Sequence, residues 1–164
     1  MQIPKELSSC TNKALYRLSV GDMTCAEMLA YLTDPHRKNT GFPPEVAERV
    51  VALLKNEGFL DDKRYLRNAV RKLDLALVGP RKIRENLTRH RFPPQYVEAA
   101  LARRVDYSAR AKALLDKKSG AAALAQTPQG RKKLMDHLVR QGYDFSTARE
   151  AVDAFSGEDS TFSD

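Results

Sequence analysis

Only a few side chains in this sequence have the type and spacing to do chemistry. Asp61-Asp62 is an adjacent carboxylate pair of the kind that can move protons or hold a cation. No histidine or third carboxylate stands at a spacing that would complete such a site. The bland alternative is stronger: an aspartate at a helix start accepts a free backbone N–H and meets the helix dipole, which contributes about 1 kcal/mol. His36, His90 and His137 are scattered, and Cys10 and Cys25 form no C-x-x-C, so no zinc site is legible. Gly58 and Gly79 lie in neither a G-x-x-x-x-G-K-[ST] nor a G-x-G-x-x-G pattern and read as helix stops. No nucleophile–base pair is apparent. The sequence therefore reads as a non-enzyme with no metal and no cofactor of its own.

The cations are the better candidates. The chain carries a formal charge of +7, but unevenly. Residues 1–62 have a net charge of −2, residues 63–104 set twelve Lys and Arg against three Asp and Glu for +9, and residues 105–164 balance at 0. A solvated helix surface normally mixes both signs, so this segregation implies an acidic partner, either nucleic acid or an acidic protein groove. Arg64, Arg67 and Arg71 fall at i, i+3 and i+7, on one face of a predicted helix. Arg81, Lys82, Arg84, Arg89 and Arg91 follow on the next helix and its end. Lys117, Lys118, Arg131, Lys132 and Lys133 form a second cluster that would extend the same face. Aromatic side chains that could stack on bases are scarce in the patch, so sequence-specific readout is not expected.

These residues need elements to hold them, and the reading is all-α. Helix formers dominate and alternating β-branched runs are absent. Val46, Val50, Leu53 and Leu54 make one apolar stripe, and Leu66, Ala69, Val70, Leu73 and Leu77 make another. The punctuation GFPPEVAERVV at 41–51 returns as RFPPQYVEAAL at 91–101 and, altered, as Gly142-Tyr143-Asp144-Phe145. Pro43 and Pro93 open helices in this reading, and Asp144 caps where the others use proline. Upstream, Met28 and Leu32, Ile83 and Leu87, and Leu134 and Leu138 hold matching places; Asp34–Thr40 carries an insertion.

The chain is thus expected to be three tandem three-helix repeats forming an elongated body that can curve. Residues 1–12 read as an N-terminal extension, 13–55 as the first repeat, 56–104 as the second and basic repeat, 105–154 as the third, and 155–164 as a disordered acidic tail. Phe59, Leu60, Phe92 and Tyr143 are expected in the core or between repeats. No apolar run approaches the roughly 20 residues that span a bilayer, and MQIPKELSSC has no apolar signal core. A cytoplasmic monomer without membrane contact is expected.

The run Gly58-Phe59-Leu60-Asp61-Asp62-Lys63-Arg64-Tyr65, followed by Gly79-Pro80-Arg81-Lys82-Ile83 and then Leu87, resembles the RecX regulators of the bacterial recombinase RecA. The resemblance runs from about Ala14 to Val152; the turn Leu18–Thr24 and the insertion depart from it. It implies the same layout of three three-helix repeats, with Gly58, Phe59, Leu60, Asp61, Asp62, Tyr65, Gly79, Ile83 and Leu87 mainly structural. It also implies a role in recombination, repair and the SOS response. Members bind in the groove of the RecA–single-stranded DNA filament and dampen its growth, ATP hydrolysis and strand exchange. A stand-alone nucleic-acid-binding protein and a helical scaffold for another protein are the competing readings from the residues themselves.

Overall fold

The computed structural model describes residues 5–156. Residues 1–4 of the expected extension and 157–164 of the expected tail lie outside it. The described chain is all-α: α1 Lys5–Val20, α2 Cys25–Thr33, α3 Pro44–Asn56, α4 Asp62–Leu75, α5 Pro80–Arg89, α6 Pro94–Leu101, α7 Tyr107–Asp116, α8 Ala121–Ala125, α9 Pro128–Arg140 and α10 Phe145–Phe155. Residues 5–12 form the start of α1, where Cys10 is fully buried, and Phe155 ends α10 against apolar neighbours.

Packing divides the chain into two units. The first runs to Ala69 and includes Leu87–Tyr96; the second holds Val70–Asn86 and the chain from Val97 onward. Helices α4, α5 and α6 each contribute residues to both. The first unit closes on Cys10, Ala14, Met28, Leu32, Ala47, Val50, Leu54 and Leu60. The second closes on Ala111, Leu115, Leu134, Leu138, Tyr143, Ala148, Ala151 and Val152, with smaller neighbours. Each large aliphatic side chain buried this way contributes about 1.5–3 kcal/mol. Two apolar residues are not where the sequence placed them. Leu53 is 44% exposed and Phe59 is 55% exposed.

The repeated punctuation has one backbone cause. Gly41, Arg91 and Gly142 all take left-handed φ, at 81°, 52° and 93°. In each case the next residue returns its N–H to a leucine carbonyl: Phe42 to Leu32, Phe92 to Leu87 and Tyr143 to Leu138. This closes the preceding helix and aims the aromatic back toward the core. The following helix then starts on Pro44, Pro94 or Phe145, so Pro43 is the N-cap of α3 rather than its first residue. Gly58 ends α3 in the left-handed conformation, at φ 75°. Gly79 does not act as a helix stop, because Leu77 takes that turn at φ 53°. Gly79 is required by close approach: a Cβ there would lie 2.4 Å from the carbonyl carbon of Gly142. Tyr143 seals this crossing, its buried hydroxyl donating to the Leu77 carbonyl at 2.6 Å.

Asp144 caps α10 by accepting the Thr147 N–H at 2.8 Å. Hydrogen bonds from the Ser146 hydroxyl and from Thr147 draw its carboxyl down from an ordinary 3.8 to about 2. The stabilisation is therefore complete above the unfolded-state value and lost as pH falls through the folded one. Asp144→Ala is expected to lower stability by about 1 kcal/mol near neutral pH. The gap from wild type should close as pH falls from about 4 toward 2, read by thermal unfolding in circular dichroism.

Candidate basic interface

The acidic pair in front of the basic helix is spent on backbone. Asp61 Oδ1 accepts the Arg64 N–H at 2.9 Å, which caps α4 and holds the Asp61 carboxyl below its usual range. Asp62 Oδ1 accepts the Cys25 N–H at 2.8 Å, taking up a free donor in the first turn of α2. Burial and the nearby Asp62 carboxylate push the Cys25 thiol up to about 11, so it is a poor nucleophile. Among the described residues no group of three or more His, Cys, Asp or Glu is arranged to hold a metal ion.

In the first unit, Arg64 is held by backbone: its guanidinium donates to the Gly58 carbonyl at 3.2 Å and the Phe59 carbonyl at 3.4 Å, next to the C-terminal end of α3. Tyr65 packs on Phe92 at a ring separation of 5.1 Å and edge-on to His90 at 5.7 Å. Tyr65 is half-buried and takes part in packing. Arg67, Arg89 and Arg91 are exposed, and no side-chain hydrogen bond or ion pair engages them among the described residues.

In the second unit the cations divide in the same way. Arg81 donates to the Val139 carbonyl at 2.6 Å, in the last turn of α9, and pairs with Glu85 at 3.8 Å. Lys82 Nζ reaches Gln141 Oε1 at 2.9 Å. Arg84 pairs with Glu98 through both guanidinium nitrogens, which holds the Glu98 carboxyl down. Arg131 is engaged by Asp153 and Ser156. Arg71, Lys117, Lys118, Lys132 and Lys133 are exposed and unpaired among the described residues. The buried side of this unit senses the excess charge: burial first, then Lys118, Arg140 and Lys82, hold the His137 imidazole below its usual value.

Of thirteen candidate cations, five are thus occupied within their own unit and eight remain available to a partner. Two cations outside the candidate set carry the main ion-pair network of the second unit. Arg103 and Arg110 fork onto Asp74 at 2.8 Å each and hold its carboxyl below the usual range. Arg17 and Arg37, also outside the candidate set, share a cavity with Arg89 and Arg91. Their only sequence signal is charge, in the segment that departs most from the family pattern.

Comparison with known proteins gives a consistent result. No family model matches the chain. A regulatory protein RecX of Xanthomonas oryzae pv. oryzae is 32% identical over 113 residues, covering 68% of this chain and 70% of the relative. A regulatory protein RecX of Prosthecochloris aestuarii is 31% identical over 153 residues, covering 88% of this chain and 95% of the relative. The crystal structure of RecX from Lactobacillus salivarius matches 93% of this chain and 98% of its own, with a TM-score of 0.73 at 18% identity. A second crystal structure, of a regulatory protein RecX, matches 87% of this chain and 69% of its own, with a TM-score of 0.65 at 22% identity. These two likenesses concern the fold.

Proposed function

The chain belongs to the RecX family of regulatory proteins, and from that premise we propose that it is a non-enzymatic regulator of the RecA–single-stranded DNA filament. In this reading it binds the filament through its exposed cations and restrains filament growth, ATP hydrolysis and strand exchange. It works as a cytoplasmic monomer and needs no cofactor. Among the described residues no helix is long and apolar enough to cross a membrane.

The observation that carries the reading is the set of unengaged cations, Arg67, Arg71, Arg89, Arg91, Lys117, Lys118, Lys132 and Lys133. An exposed cation with no internal partner contributes little to its own fold and much to a long-range field. Both phosphate and carboxylate would satisfy it, and a nucleoprotein groove supplies both. The engaged set, Arg64, Arg81, Lys82, Arg84 and Arg131, has structural work already.

The same cations would serve a plain nucleic-acid binder, and a salt titration separates the two readings. Binding to oligothymidylate alone and to oligothymidylate coated with RecA is measured as salt rises. We expect retention on the coated strand to be stronger and to survive more salt, because protein contacts add to phosphate contacts. On the bare strand, each phosphate contact should add about 0.7 to the logarithmic salt slope. Stronger retention on bare DNA than on the coated strand would favour the plain binder.

A further inference from the structure

The first unit contains a cavity of about 330 Å³ lined by Arg17, Arg37, Arg89 and Arg91 with the carboxylates Glu27 and Asp34. The carboxylates neutralise only part of it: four arginines against two carboxylates leave a formal excess of +2. Asp34 is taken by Arg37, whose Nε lies 3.0 Å from Asp34 Oδ2. Glu27 is taken by the Thr24 N–H at 3.0 Å and by His90 Nδ1 at 2.9 Å. Three arginines, Arg17, Arg89 and Arg91, thus line one cavity with no ion pair of their own. The Arg17 Nη1 atom is moreover buried with no hydrogen-bond partner. A buried charged donor left unsatisfied is costly and uncommon, so its retention calls for an acceptor.

Separate backbone segments bring these arginines together. Arg17 lies in α1, and Arg91 sits at the left-handed turn that closes α5. Arg37 comes from the inserted loop, where the Thr40 hydroxyl donates to the Asp34 carbonyl at 2.6 Å and the guanidinium stacks over Tyr31 at 5.6 Å. Planar guanidinium forks suit tetrahedral oxyanions, which accept paired hydrogen bonds. The volume lies at the small end for ligand pockets.

We propose that this cavity is a binding site for a phosphate group, of the size of pyrophosphate or a nucleotide, built by Arg17, Arg89 and Arg91. The site does not depend on action at a recombinase filament. The first titration contains neither recombinase nor DNA, so its failure and the failure of the filament reading are separate events.

The test is calorimetric titration of the full chain with inorganic pyrophosphate, at fixed ionic strength. One site per chain is expected. Arg17→Gln, Arg89→Gln and Arg91→Gln should each weaken binding by about tenfold or more. Lys5→Gln and Lys112→Gln, exposed and outside both cation sets, should bind as wild type does. Arg89 and Arg91 are exposed, so their variants keep the test valid if Arg17→Gln misfolds. A second arm adds oligothymidylate: displacement of pyrophosphate identifies the seated group as a backbone phosphodiester, and no displacement identifies a free phosphate compound. Either supports the site. No saturable binding up to millimolar pyrophosphate, or equal binding by all five variants, would overturn it.

Discussion

Gly142→Ala is expected to cost the second unit about 3 kcal/mol or more, the sum of left-handed strain and overpacking. That corresponds to a fall of about 10–20 °C in its melting temperature. Gly142 sits at φ 93°, where an L side chain is strained, and an added Cβ would lie 2.5 Å from the Lys82 backbone nitrogen. Backbone cannot swing aside as a side-chain tip can. The crossing is also pinned by two backbone hydrogen bonds, Gly79 N–H to the Gln141 carbonyl at 2.8 Å and Arg81 N–H to the Gly142 carbonyl at 3.1 Å. Gly79→Ala meets the same crossing from the other side without left-handed strain, so it should cost less. Gly58→Ala has φ 75° but nothing within 4 Å of its added Cβ, and should cost only about 1–2 kcal/mol. Thermal unfolding of the three variants gives the ranking. A Gly142→Ala effect no larger than that of Gly58→Ala would contradict the close-approach account.

The second large effect is functional. Arg67→Glu/Arg71→Glu is expected to weaken association with the RecA–DNA filament about 100-fold or more while leaving the melting temperature within a few degrees of wild type. Both guanidiniums are exposed and make no hydrogen bond or ion pair, so reversal removes two external contacts and adds repulsion, and the one internal loss is the minor attraction of Arg67 for the Asp61 carboxylate. Arg64→Glu and Arg81→Glu should behave differently. Their guanidiniums hold carbonyls next to the ends of α3 and at the end of α9, so the main loss should be stability. Measuring affinity and melting temperature on all variants separates the two classes. Equal affinity losses at engaged and unengaged cations would argue against the division made here.

The contrast between these two arginine classes depends on tertiary contacts that a sequence does not display. The helices were legible because apolar spacing, proline and glycine are local signals. Met28, Leu32, Ile83, Leu87, Leu134 and Leu138 hold matching places in the sequence, and all are fully buried. The shared aromatic punctuation was visible, but its cause was not: the left-handed turn at Arg91 carries no glycine to announce it. Local grammar makes Gly79 a helix stop, whereas its reason lies more than sixty residues away at Gly142. The basic patch was legible as a charge excess only. Which cations are occupied depends on acceptors such as Val139 and Gln141, far along the chain from Arg81 and Lys82. The fork of Arg103 and Arg110 onto Asp74, and the meeting of Arg17 and Arg37 with Arg89 and Arg91, are tertiary facts of the same kind.

The most direct test of the central claim is RecA ATP hydrolysis on single-stranded DNA, with this protein titrated in far below one molecule per recombinase. The account predicts inhibition at those low ratios, lost in Arg67→Glu/Arg71→Glu, because too little protein is present to coat the DNA. Inhibition that appears only when the protein is abundant enough to cover the strand, or no inhibition at any ratio, would contradict it.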